Sequence, residues 1–198
     1  MDFKQHFEIG WQNTLKFIGP VILLTFIQVL LTIFSFGILA PVTAAGYIKS
    51  LLLAAREGRA PDIKDLFSEM SLFFPLFGFA ILVFFAIIIG FMLLVLPGLA
   101  LTLALIFSSL YMLPLMVDRR LGLIDALKAS WEMATRNPIA DQAIITIIYI
   151  AIMSIGGSIP FAILVAQPLA TFIILSVYQE RLGRPAGMSQ SAPPPPVL

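Results

Sequence analysis

The chain has 198 residues, of which 60% are hydrophobic and 12% charged, with a formal net charge of +1. Soluble domains are roughly half apolar and a quarter charged, so this composition excludes an ordinary water-soluble globule and points to lipid as the solvent. No basic block offers itself to nucleic acid, and without cysteine and with His6 as the single histidine there is no disulfide framework or His/Cys metal site to read.

Residues 2–16 read as an amphipathic surface helix. Phe3, Phe7, Trp11 and Leu15 recur at every fourth position, with Lys4, Gln5, Glu8, Gln12 and Lys16 mostly around the other side. An aromatic face set against lysines suits the headgroup boundary of a bilayer, and His6 is expected at that surface. The stretch lacks the basic-then-apolar order of a cleavable signal, so the apolar segment after it is expected to be retained as an anchor.

Residues 17–36 are uncharged and long enough, at about 1.5 Å per residue, for the ~30 Å hydrocarbon core. Pro20 falls in the first turn, where a missing N–H costs little. A tight uncharged turn at 37–41 leads into 40–55, which carries Lys49. This segment either spans, with Lys49 snorkelling to the interface it shares with Arg56, or re-enters the same face. Residues 56–61 close the hairpin with charge, Gly58 and Pro61.

Asp62 is a good N-cap for a second surface helix, with Asp65 in its first turn. Ile63, Leu66, Phe67, Met70, Phe73 and Phe74 make its apolar face, against Lys64, Asp65, Ser68, Glu69 and Ser71. Residues 75–117 hold no charge and divide at Leu96-Pro97-Gly98 into spans near 75–95 and 98–117. The collar Asp118-Arg119-Arg120 and Gly122 introduce a third amphipathic helix. Leu123, Leu127, Trp131 and Ala134 share its stripe, and Asp125, Lys128, Glu132 and Arg136 fall away from it. Residues 139–155 go out, 156–160 turn, and 161–178 return, with a break expected at Gln167-Pro168. The stretch 186–198, with Pro193 to Pro196 in a row, should be a disordered tail.

The expected fold is an all-α polytopic membrane protein with a single membrane domain at 1–185. Its six transmembrane helices form three hairpin repeats, at about 3–59, 62–122 and 123–184, each preceded by a cytoplasmic amphipathic surface helix. All 12 Lys and Arg then share the side of the two termini, while the turns at 37–41, 96–98 and 156–160 carry none. The positive-inside rule makes that side the cytoplasmic face of an inner (plasma) membrane.

Several of these stretches resemble a known family. Leu96-Pro97-Gly98, the long apolar run, the collar, DALKAS at 125–130 and the Trp-containing helix are similar to the glycerophosphoryl diester phosphodiesterase membrane domain and to related six-span bacterial inner-membrane proteins. The GY…REGRAP…DLF pattern from Gly46 to Phe67 fits the same resemblance, which covers roughly 40–185. Enzymatic members carry a separate soluble catalytic domain that these residues do not contain. The resemblance therefore implies the fold and not the diesterase activity.

Catalytic constellations are not evident. There is no HExxH and no acidic pair inside a span, and a Ser–His dyad would require His6 to leave the surface. Neither catalysis nor a cofactor or metal is expected. Arg119, Arg120, Arg56, Arg59 and Lys49 are the candidates for gripping anionic lipid headgroups. Asp118, Glu57 and Asp62 lie near enough to pair with them instead. Gln28, Tyr47, Gln167, Tyr111 and Tyr149 are candidates for a polar path through the bundle, or for interhelical hydrogen bonds. The expected function is a non-enzymatic integral membrane protein that binds or organises lipid or partner proteins of the envelope. The alternative is a transporter or lipid-translocating protein with a polar path between the repeats. Expected partners are membrane lipids, a membrane protein or a second copy of the chain, and not nucleic acid.

Overall fold

A computed structural model of the chain describes residues 2–136, 138–159 and 161–183; the tail expected at 186–198, with Arg184 and Pro160, lies outside the described residues. Among the described residues the fold is helical, with no strand. Its helices are α1 (Phe3–Lys16), α2 (Ile18–Phe34), α3 (Ala40–Glu57), α4 (Phe73–Leu93), α5 (Val95–Ser109), α6 (Met112–Asp118), α7 (Leu123–Arg136), α8 (Ile139–Ser158) and α9 (Ile163–Arg181).

Local chemistry sets most of these ends. The Asp2 carboxylate accepts the Gln5 N–H at 3.2 Å and caps α1. Pro41 pre-sets the first turn of α3, and Gly58 ends that helix in the left-handed conformation at φ 68°. Asp62 and Asp65 form a reciprocal capping box. The segment after the box differs from expectation: instead of a second α-helix on the surface, the chain makes two short 3₁₀ segments, Ile63–Phe67 and Met70–Leu72, that run into α4. The turn between α4 and α5 falls at Leu94, so Pro97 and Gly98 lie inside α5 rather than before it. The break expected at Gln167-Pro168 is absent too. α9 runs through Pro168, which removes only one hydrogen bond of the ladder.

Four stretches are long and apolar enough to cross a membrane: Ile63–Leu93, Val95–Asp118, Ile139–Ser158 and Ile163–Arg181. A fifth arises if α1 and α2 count as one span, although they meet at 88°. α2 has 17 residues by itself, and α3 is diluted by Lys49, Arg56 and Glu57. The expected six spans are thus four or five by length and composition.

α3 and α9 lie at the centre. Tyr47, Leu51 and Leu52 of α3 join Val21 and Leu24 of α2 and Phe172 and Leu175 of α9 in one apolar cluster. Ile173, Val177 and Tyr178 of α9 join Tyr111, Leu115 and Met116, Ala126 and Ile145 in the other. Gly46 lets α3 approach the first 3₁₀ segment, because a Cβ there would lie 2.3 Å from the Asp65 carbonyl oxygen. The stretch from Gly46 to Phe67 is thus one packed unit.

The two amphipathic helices dock by small residues. On α1 the buried positions are His6, Gly10 and Thr14, one turn apart, and on α7 they are Ala126, Ser130 and Ala134. At Gly10 a Cβ would meet Ile173 Cγ1 of α9 at 2.6 Å, so only glycine permits this approach. One residue further round each helix, about 100° away, the large side chains face outward: Phe7, Trp11 (43% exposed) and Leu15 on α1, and Trp131 (53%) on α7. Leu123 and Leu127 pack partly against the bundle, as does Phe3.

Between α5 and α6 the helix is interrupted at residues 110–111. Pro114 supplies the cause, since it cannot donate to the Leu110 carbonyl and its ring crowds that oxygen. The freed backbone groups are taken up by neighbours. Ser130 Oγ donates to the Ser108 carbonyl at 2.6 Å and accepts the Tyr111 N–H at 3.2 Å. Gln142 Nε2 donates to the Phe107 carbonyl at 3.2 Å. This repair matters most where no water can replace it.

Candidate functional site

The break redirects α6 so that Asp118, at its end, faces the end of α3. Arg56 grips Asp118 with both terminal nitrogens, the Nη2 bond to Oδ2 measuring 2.9 Å. The Tyr178 hydroxyl donates to the same oxygen at 2.9 Å. The hydrogen bond to Asp118 is the main reason the Arg56 guanidinium is held above its ordinary pKa, against the effect of burial. A fork-to-fork pair of this kind fixes both separation and angle of the elements it joins.

Glu69 is the second hub. Its side chain is fully buried, although its place in the sequence set it on a polar face. Lys49 Nζ lies 2.7 Å from one carboxylate oxygen and Arg120 Nη1 is 2.7 Å from the other. Lys49 therefore points to a buried carboxylate within the bundle. Arg120 sits at φ 53°, a left-handed conformation that costs a non-glycine residue about 1 kcal/mol or more. The ion pair to Glu69 offsets that cost. Asp65 is the third hub: Ser50 Oγ donates to it at 2.6 Å, and Arg59 bonds the same oxygen.

Of the five headgroup candidates, Arg56, Arg59, Arg120 and Lys49 each face a carboxylate within the chain. Arg119 differs. It is exposed, with its Nε 4.0 Å from an Asp118 oxygen that already serves Arg56 and Tyr178. It lines a surface groove of about 480 Å³ with Arg136 of α7 and Arg181 of α9. Arg181 is held by a 2.6 Å bond from Nη1 to the Met133 carbonyl and lies over the Tyr111 ring at 5.0 Å.

The polar-path candidates occupy separate places. Gln167 Nε2 donates to Gln28 Oε1 at 2.8 Å, joining α9 to α2. The Tyr47 hydroxyl meets Thr25 Oγ1 at 2.9 Å, and the Tyr111 hydroxyl donates to Gln142 Oε1 at 3.0 Å. Tyr149 lines a small, mostly apolar cavity with Ile106, Leu113 and Ile174.

His6 is not at the surface. It is 2% exposed, with Nδ1 2.7 Å from Ser176 Oγ and Nε2 2.5 Å from Glu180 Oε2. Ser176 and Glu180 are one turn apart on α9, so the three side chains clasp α1 to α9. Ser176 is buried within α9. Among the described residues no three His, Asp or Glu converge to hold a metal ion.

Sequence reasoning missed Glu69 as a hub, Arg181 as a groove wall and His6 as a clasp. Arg181 carried a faint signal, as a cation that ends an apolar helix next to Glu180. Glu69 and His6 carried none, because Glu69 is reached by Lys49 from a separate helix and by Arg120 from 51 residues away, and the Ser176 partner of His6 lies 170 residues away. Compared with known proteins, the chain matches no protein-family model, no curated protein and no solved structure.

Proposed function

We propose that this chain is a non-enzymatic integral protein of an inner (plasma) membrane that organises lipid at its charged face. The observation that carries this reading is the two-faced build of α1 and α7. Each spends its small-residue face on the bundle and leaves a tryptophan outside. Indole prefers the headgroup level of a bilayer, so such helices form a platform at the interface. The apolar exteriors of α4, α5 and α8 fit the same setting.

In this reading the chain makes three helical hairpins, with α3 as the sixth crossing and Lys49 neutralised by Glu69. The termini and the basic residues share the cytoplasmic side. The similarity to the glycerophosphoryl diester phosphodiesterase membrane domain is proposed at the level of this hairpin plan alone. A partner protein of the envelope, or a second copy of the chain, would join at the platform.

The Gln28–Gln167 bond at depth is what supports the second reading, a transporter or lipid-translocating protein with a polar path between the repeats. The absence of native cysteine makes single-cysteine scanning clean. Cysteines at Gln28, Tyr47 and Gln167 should resist a membrane-impermeant thiol reagent if the bundle is dry. Labelling at all three would favour the transporter. Cysteines at Leu39, Pro97 and Gly157 should label only from the outer side; labelling from the cytoplasm would overturn the orientation.

A further inference from the structure

We propose that the groove between α6, α7 and α9 binds the phosphodiester headgroup of an anionic phospholipid. This inference deepens the lipid reading above and rests on it. Three guanidiniums, from Arg119, Arg136 and Arg181, line the groove against one carboxylate, Glu132. Glu132 is exposed and pairs with Arg136 at 3.2 Å, which leaves Arg136 donors to spare. Arg181 brings its charge to the groove wall from a fixed position, with Nη1 on the Met133 carbonyl and Nε and Nη2 buried, so the free donors are those of Arg119 and Arg136.

Each arginine stands at the C-terminal end of its helix, at the C-cap of α6 and in the last turns of α7 and α9. The helix dipole explains why a cation is stable at each end. It does not explain why three such ends share one groove. Guanidinium forks match phosphate oxygens two by two, and lysine at these positions would not. The remaining walls, including Leu121, Met133 and Leu182, are apolar and suit the glycerol and first acyl carbons rather than a bare anion. Trp131 stands outward on the same helix, at the level the headgroup would occupy in the proposed setting.

The test uses the full chain in detergent micelles, in a Trp11→Phe background so that Trp131 is the only indole. Short-chain phosphatidylglycerol is titrated in, with short-chain phosphatidylcholine as the neutral comparison. The expected result is saturable binding that favours phosphatidylglycerol. In the Arg119→Gln, Arg136→Gln double variant affinity should fall about 30-fold, from roughly fivefold per basic residue near a lipid headgroup. Arg181 is kept, because it also holds the Met133 carbonyl. A Lys4→Gln, Lys64→Gln variant changes net charge equally at exposed cations outside the groove and should bind as the parent does.

Equal loss in that control, or unchanged binding in the arginine variant, overturns the headgroup site. Displacement of the lipid by equimolar inorganic phosphate overturns the lipid as occupant. Binding without preference between the two lipids removes the groove and leaves the platform reading standing. No response of Trp131 to either lipid, or to long-chain vesicles, removes both.

Discussion

α9 and α4 are both long apolar helices, yet they live in different surroundings. In the membrane-length window of α9, 67% of residues are buried within the protein, against 11% for the span that contains α4. The apolar content is higher on the bare helix: the α4 span averages a mean hydropathy of 2.9, and α9 averages 1.4. In water the order would be reversed, because the most hydrophobic segment would seek the core. Here the less hydrophobic helix is inside, with Gln167, Ser176 and Tyr178 finding partners there, while Phe84, Phe85, Ile89 and Met92 face outward. Under the proposed reading, lipid covers α4 and the interior is where polar groups are satisfied.

The contrast can be broken from the polar side first. Glu69→Ala leaves Lys49 facing no carboxylate and frees Arg120, and should cost about 3–5 kcal/mol, the range for splitting a buried ion pair. The same change at exposed Glu132 should stay within about 0.5 kcal/mol. Thermal unfolding of the two variants in detergent checks the difference.

A matched pair of glycines gives the next effect. Gly46→Ala drives a Cβ against the Asp65 and Leu66 carbonyls and should cost about 1–3 kcal/mol or more. Gly78→Ala on α4 meets no neighbouring atom within 4 Å and should be neutral or stabilising by up to about 1 kcal/mol. Equal melting shifts for the two would dissolve the distinction between the packed centre and the bare hairpin. Smaller again is Ser130→Ala, which leaves the Ser108 carbonyl and Tyr111 N–H unpaired and should cost about 1–2 kcal/mol. Amide exchange at Tyr111 should rise in this variant and stay unchanged at residues of α3.

Much of this architecture was legible in the sequence. Charge-free runs between charged collars marked most helices to within a few residues, because hydrocarbon length and turn chemistry act locally. The N-cap at Asp62 was visible for the same reason, and the structure adds the reciprocal bond from Asp65. The helix expected after it was not formed: Glu69 is drawn into the bundle by Lys49 and Arg120, and the chain follows in short 3₁₀ segments. The docking face of α1 was also hidden, whereas that of α7 was legible in part, through Leu123, Leu127 and Ala134. The eye follows Phe7, Trp11 and Leu15, whereas contact is made through Gly10 and its neighbours one residue away. Small residues carry little hydrophobic signal, and their value lies in how closely another backbone can approach. The candidate cations were legible by type, and Asp118 was legible as a partner; Glu69, which takes both Lys49 and Arg120, was not, since that pairing depends on how separate elements meet.

The two-faced helices can be tested directly. Trp11 and Trp131 are the two tryptophans of the chain. In single-tryptophan variants reconstituted in vesicles, fluorescence should be quenched more strongly by lipids brominated near the headgroup than by lipids brominated deep in the chain, for both indoles. Failure of both to respond to any brominated lipid, or strongest quenching of both by the deep label, would contradict an interfacial platform built on α1 and α7.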